Sequence, residues 1–380
     1  MQNDEGWLTH LFAGVESQSE IPSVNHLHLK GKAKLLLLVL MLSLAACGSK
    51  KESPESDAST PQESTDAPAG ETITLKLAGT KAATSLQAEG LNWFAEQVYE
   101  KSGGTIKVDN YLASSLGGQD EIAEGLLLGT IELGYLTTAE WGKFSPKLNL
   151  VSAPFFTFAN EQEALDFMNS EYCQEYYDLL HEETGITMRG ISLDGARQIW
   201  TDVELSSIED FKGVALRVPD VPIYVDSFDA LGFITTIVPW GDCYTAVQTG
   251  VVSGLEIDYN SFADAGMDRI MPYCMITNHS VATNSFAIHD SVLEKLSEEQ
   301  KAVLFECIDE ATDYINNLYF EKLNETVEAI KANGVTFTEA TAEQSAEMSS
   351  IVKPVVEDYL INNCQFTADE MDAFFAELAK

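Results

Sequence analysis

T-I-T-L-K-L-A-G, Thr72 to Gly79, opens the run of elements whose order decides the fold. Ile73, Leu75 and Leu77 alternate with Thr74 and Lys76, the two-residue period of a half-buried strand. Leu91, Phe94, Ala95, Val98 and Tyr99 then recur at helical spacing, an apolar face that Gly103-Gly104 brings to a stop. Ile106 to Tyr111 predicts a second strand, Glu121 to Leu128 a second helix, and Ile131 to Leu136 a third strand. Strand and helix alternating in this order predict an α/β chain, with parallel strands covered by helices. Val214, Leu216 and Val218 mark a further strand, closed by Pro219.

One helix is expected to be far longer than the rest. From Ser297 to Asn333 there is neither glycine nor proline, and Gly334 follows as a left-handed stop. Ser297 and Gln300 form a capping-box pattern, with Leu296 placed as a hydrophobic staple. At 1.5 Å per residue such a helix reaches about 55 Å, more than the width of one small domain. It either crosses two domains of the same chain or pairs with a second copy as a coiled coil.

Upstream, Lys30, Lys32 and Lys34 flank the apolar run Leu35 to Leu44, and Leu44-Ala-Ala-Cys47 ends it. A run of this length is too short to span a bilayer and reads as an export signal. Small residues before a cysteine resemble a bacterial lipobox, which makes Cys47 the expected lipidation site. Residues 1–29 do not look like an ordinary signal start, and the initiation site is expected further downstream. Gly48 to Gly70 has no large apolar residue and reads as a tether with a reach of roughly 25 Å. The expected address is the outer face of the cytoplasmic membrane, or the periplasm.

The chain carries 60 acidic residues against 22 basic ones, a formal charge of −38, which argues against nucleic acid or an anionic membrane surface as partner. Cys173, Cys243, Cys274, Cys307 and Cys364 are scattered and odd in number, so neither a metal site nor a redox motif is expected. His181, His279 and His289 lie at no ligand spacing, and no Walker loop, dinucleotide fingerprint or nucleophile elbow occurs. No cofactor is implied, and an enzyme is not expected.

The arginines are few: Arg189, Arg197, Arg217 and Arg269. Two bracket the segments D-G-A-R-Q-I-W-T (Asp194 to Thr201) and D-F-K-G-V-A-L-R-V-P (Asp210 to Pro219). A guanidinium is a planar fork of donors matched to a carboxylate, so either a structural ion pair or recognition of an anion would employ it. Arg217 lies near the carboxyl end of its strand, where open α/β sheets place ligands, and points away from the layer of Leu216 and Val218.

These segments, with Tyr111 to Glu121, Ala153-Pro-Phe-Phe-Thr-Phe158, Pro239, Tyr244 to Gly254 and the long helix, stand in the order found in one family. Over about Thr72 to Lys380 the chain resembles the DctP-like solute-binding proteins of tripartite ATP-independent periplasmic (TRAP) transporters. The resemblance implies a two-lobed, periplasmic-binding-protein-like (Venus flytrap) α/β fold whose long helix spans both lobes. Its expected division is 71–194 with 283–322 as one lobe and 195–282 with 323–380 as the other.

It further implies that Arg217 pairs with a substrate carboxylate in the interlobe cleft and that Arg197 is a second cleft arginine. Trp240 would be an aromatic cleft wall, with core packing as its alternative. Glu256, which matches the acid of the family's D-G-x-E-N segment, completes the expected ligand-binding set. The asparagine of that segment is replaced by Ile257, which argues against sugar acids and for a less polar carboxylate: a C4-dicarboxylate, a 2-oxo acid or an aromatic acid. The implied partners are a small organic acid, membrane permease subunits, and the membrane through a lipid on Cys47; a monomer is expected. A sensory ligand-binding lipoprotein serving a chemoreceptor or kinase is the alternative, and a hydrolase on this scaffold a third.

Overall fold

A computed structural model of the chain describes residues 72–154, 158 and 160–378. The expected export signal, Cys47 and the tether lie outside the described residues, as do Phe155, Phe156 and Thr157 of the A-P-F-F-T-F segment. The opening elements fall where their patterns place them: β1 (Ile73–Gly79), α1 (Leu86–Lys101), β2 (Ile106–Tyr111), α2 (Gln119–Leu127) and β3 (Leu133–Thr137). Gly103 and Gly104, both at positive φ, end α1 by taking the backbone into the left-handed region. β1 pairs parallel with β2 and β3, as strands joined by crossover helices must.

Next come α3 (Glu161–Met168), α4 (Glu171–Thr184) and β4 (Ile186–Thr201), a strand of 16 residues. β5 (Ala215–Val218), α5 (Pro222–Ala230), β6 (Ile234–Ile237), α6 (Cys243–Gln248), β7 (Gly254–Asp258) and α7 (Tyr259–Asp264) form a second parallel group, in which β5 pairs with both β6 and β7. β8 (Tyr273–Ile276) and β9 (Val281–His289) lead through α8 (Asp290–Leu293) into α9 (Glu298–Ala332). Then β10 (Thr336–Glu339), α10 (Ala342–Asn362) and α11 (Ala368–Leu378) complete the described chain.

The two groups are two lobes of one sheet, ordered β2-β1-β3-β9-β4-β7-β5-β6. β4 belongs to both: Ile186 to Ala196 pairs with β9, and Arg197 to Thr201 pairs with β7. At about 3.3 Å per residue it is long enough, roughly 50 Å, to run through both lobes. Its register with β9 shifts between Arg189 and Ser192 and again between Leu193 and Gly195. Such bulges bend a strand and leave backbone groups unpaired. The long helix supplies the partners, since Leu193 N–H donates to Asn316 Oδ1 at 2.8 Å and Asn316 Nδ2 donates to the Ile191 carbonyl at 3.2 Å. Gly195, at φ 123°, could carry no side chain here, because an added Cβ would lie 2.4 Å from the Tyr319 hydroxyl.

Helix α9 is the predicted long element, capped as its sequence demands. Gln300 N–H donates to Ser297 Oγ at 3.2 Å, and Gln300 Oε1 accepts from Ser297 N–H at 2.9 Å. Its buried stripe, including Leu304, Ile308, Ala311 and Ile315, packs on α1 and β4, and its later turns meet α7 of the other lobe. Close packing on α1 requires Gly90, where a Cβ would sit 2.2 Å from Ile315 Cγ1. Helix α11 lies within the stretch expected in the second lobe. It packs Phe374 edge-on against Phe167, centroids 5.7 Å apart, and reaches Lys147 through Glu370. Both partners lie in the stretch expected in the first lobe.

Candidate functional site

The sheet brings Arg197, Arg217 and Trp240 to the wall of one cavity, whose atom-free space counts about 740 Å³ with its open mouth. One side is made of residues that follow β1 and β3, among them Lys81, Thr138 and Glu140. The other side is made of Arg217, Pro219, Val221, Tyr224, Trp240 and Ile257. The floor comes from the bent part of β4 at Asp194 and from Val281 to Thr283 of β9.

Arg217 owes its position to alternation on β5. Leu216 and Val218 are fully buried in the apolar layer, and the side chain between them projects the other way, to the cavity. It is 4 % exposed, with Nε donating to the Val238 carbonyl at 2.9 Å. Among the described residues no carboxylate pairs with it and no hydrogen bond occupies its two terminal nitrogens. Its guanidinium carbon lies 5.8 Å from the centre of the Trp240 ring. Burial pushes its pKa down, as expected of a cation removed from water without a counter-ion.

Arg197 is in the opposite condition. Its Nε and one terminal nitrogen grip the two carboxylate oxygens of Glu256 at 2.5 and 2.6 Å, and that nitrogen also meets the Glu256 carbonyl at 2.8 Å. Its other face lies over the Tyr224 ring, 5.5 Å from the ring centre. Burial is the largest influence and would lower its pKa, but the Glu256 charge and hydrogen bond, together with Tyr224 and Asp258, raise it on balance. Glu256 is fully buried and does not line the cavity. Burial would raise its carboxyl, yet the Arg197 charge and a hydrogen bond from His279 at 3.3 Å hold it below the usual range. Grouped with the binding residues by its motif, Glu256 stands behind Arg197 and fixes it.

Ile257 does line the cavity, so an aliphatic side chain occupies wall that an amide would make polar. Trp200 is structural: it stacks on Phe262 at 3.6 Å, and its indole N–H donates to the Ile257 carbonyl at 2.9 Å. Sequence reading missed Lys81 and Asp194, which form a second ion pair at the cavity. Asp194 also accepts from Gln87 at 2.9 Å and from Asn284 at 2.7 Å. The aspartate sits in the D-G-A-R segment and could have been singled out; nothing near Lys81 signals its role. Glu140, also missed, is carried by the turn after β3.

Comparison with known proteins accords with this geometry. The model of the bacterial extracellular solute-binding protein family 7, DctP, matches residues 77–363. The ectoine-binding periplasmic protein TeaA of Halomonas elongata is 25 % identical over 288 residues, covering 75 % of this chain and 84 % of that protein. The C4-dicarboxylate-binding periplasmic protein DctP of Rhodobacter capsulatus is 24 % identical over 287 residues, 75 % of this chain and 86 % of its own. Among solved structures, a TRAP periplasmic solute-binding protein from Desulfovibrio salexigens with bound orotic acid superposes with a TM-score of 0.75. It is 22 % identical, and the match covers 81 % of this chain and 99 % of that one. A family match across most of the chain, on a two-lobed fold with a cavity between the lobes, identifies the protein: it belongs to the bacterial extracellular solute-binding protein family 7, the DctP-like solute-binding proteins of TRAP transporters.

Proposed function

We propose that this chain captures a small organic acid between its lobes, with Arg217 as the principal contact, and presents it to membrane permease subunits. One observation carries the reading: a buried guanidinium with two unoccupied nitrogens and no counter-ion among the described residues faces the cleft, while the charge of the neighbouring Arg197 is paired with Glu256 through Nε and one terminal nitrogen. A carboxylate bridging the lobes would occupy those nitrogens and favour closure by as much as its extra affinity for the closed form. Trp240 and Ile257 would cover the cargo's apolar part. Glu256 acts through Arg197, keeping that guanidinium rigid at the cavity wall.

The lobes are proposed to divide near Asp194 on β4 and near Thr283 on β9, where both strands run beneath the cavity. Export to the cell envelope, with a lipid on Cys47 holding a monomer at the membrane, completes the proposal. No catalytic step is assigned to the cleft.

A thermal-shift screen of organic acids tests the reading. Cargo at a hundred times its dissociation constant should stabilise the folded form by about 2.7 kcal/mol and raise the melting temperature accordingly. A panel in which amines or neutral sugars shift the transition and no carboxylate does would contradict it.

A further inference from the structure

We propose that the cargo is zwitterionic: a monocarboxylate bearing an amino group, its carboxylate held by Arg217 and its ammonium by Glu140. The inference rests on the receptor reading above and narrows it to a ligand class. Two of the cations at the cavity wall already have a counter-ion, Lys81 in Asp194 and Arg197 in Glu256, although one terminal nitrogen of Arg197 makes no hydrogen bond among the described residues. Two ionisable groups at that wall lack an ion-pair or hydrogen-bond partner that their chemistry calls for. Arg217 has no counter-ion among the described residues, and the Oε1 atom of Glu140 is buried without a hydrogen bond.

Glu140 is 5 % exposed and stands at the corner of the cavity nearest Lys143. The Lys143 ammonium lies 3.2 Å from Glu140 Oε1, but it also contacts Asp120 and lies 3.1 Å from Asp220. One cation therefore serves three carboxylates, and with all three ionised the corner carries a charge of −2 (one positive, three negative). Asp220 follows Arg217 by three residues, with the cavity-lining Pro219 between them. The acidic corner thus adjoins the end of the strand that carries the free guanidinium.

This distribution discriminates between cargo molecules. A second carboxylate entering the corner would meet an excess of its own sign. A hydroxyl would gain a hydrogen bond from its neutral group. An ammonium would gain a charge-assisted bond to Glu140 and relieve the crowding of negative charge around Lys143. Burial, aided by Asp120, pushes the Glu140 carboxyl up to about 8, so in the empty cavity it holds a proton at neutral pH. Lys143 and Asp120 are the charged groups facing it directly, and Asp220 is reached through Lys143. An arriving ammonium takes over the role of that proton. The Glu140 O–H bond breaks, the proton passes to solvent, and the amine keeps its own three hydrogens.

Titration calorimetry on ligand-stripped protein tests this with acids matched in carbon skeleton, the group opposite the carboxylate being an amine, a hydroxyl or a second carboxylate. 4-Aminobutyrate, 4-hydroxybutyrate and succinate form one such set, and the common α-amino acids with their hydroxy analogues form others. In the best set the amine should bind at least tenfold more tightly than its analogues. At pH 7 it should release most of one proton, read from buffers of different ionisation enthalpy, and at pH 9.5 almost none. Glu140→Gln should abolish the release and shrink the preference below threefold. The wild-type proton count stands on its own should that variant fold poorly. Equal or tighter binding of a hydroxy acid or dicarboxylate, binding without proton release, or no binding by any amino acid would each overturn the proposal. Arg217→Lys in the same titrations separates the two readings. Acids that bind regardless of that change sink the receptor reading, whereas acids weakened by it but without amine preference sink the zwitterion alone.

Discussion

Arg217→Lys is expected to weaken cargo binding by at least tenfold, and Arg217→Met to remove it, while the empty protein stays as stable as before or gains stability. The binding loss follows from geometry. A guanidinium held at Nε by the Val238 carbonyl presents its remaining nitrogens as a fixed fork, whereas an ammonium on a flexible stem offers a point charge and loses the hydrogen bond to Val238. A charge-assisted hydrogen bond contributes about 1.5–3 kcal/mol, and about 1.4 kcal/mol is a factor of ten in affinity. The stability result follows from the missing partner. Arg217 is buried without a counter-ion among the described residues, so its charge costs desolvation that the Val238 carbonyl and the Trp240 ring offset only in part. Methionine fills similar volume without that cost. Calorimetric affinities and urea midpoints of the three proteins measure both parts. Retained affinity in the methionine variant would remove Arg217 from the site, and a large loss of stability would make it a structural residue.

Arg197→Met is expected to do the reverse and destabilise the fold by about 3–5 kcal/mol, because it strands a buried carboxylate. Glu256 is fully buried, and its oxygens are shared by Arg197 and His279. Glu256→Gln should cost a comparable amount by stranding the guanidinium. Replacing both partners with apolar residues should recover much of the loss, since neither charge is then left alone.

The same triad sets a direction with pH. The folded Glu256 pKa is depressed, so its contribution is complete above the ordinary glutamate range and disappears as pH falls through the lower folded value. Burial also depresses His279, which stays neutral in the fold, so stability declines once pH drops below about 6.5, where the unfolded imidazole takes up a proton. Both terms weaken the protein toward acid. Between pH 7 and pH 5 only the His279 term is active, and Glu140, whose raised carboxyl favours the fold toward acid, opposes it. The term is therefore read as a difference, and urea midpoints should fall further, or rise less, in wild type than in His279→Gln. Equal changes in the two proteins would contradict the assignment.

The elements legible in the sequence are those governed by local chemistry. β1, α1 and β2 follow from two-residue and helical spacing, and α9 from a capping box at one end and Gly334, at φ 96°, just past the other. β4 is another matter. Its 16 residues include Gly190, Asp194, Gly195 and Arg197, which break any alternation, and it is a strand only because β9 and β7, distant in sequence, pair along it. Its bulges are tolerable because Asn316, on a helix over a hundred residues later, satisfies the backbone they expose.

The site divides in the same way. Arg217 could be placed from the alternation of its own strand. The fate of Arg197 depends on Glu256, 59 residues away, and no local signal distinguishes a guanidinium in use from one that is free. Lys81, Asp194 and Glu140 likewise gain their meaning from what the two lobes bring together. Ile257 was readable as a departure from the family's segment, and it does stand at the cavity wall.

A crystal structure with the tightest-binding acid from the screen would locate the cargo's carboxylate. That carboxylate is expected on the two terminal nitrogens of Arg217, at about 2.7–2.9 Å, with Arg197 still held by Glu256. An acid seated elsewhere, or Arg217 turned onto a carboxylate of the protein itself, would contradict it.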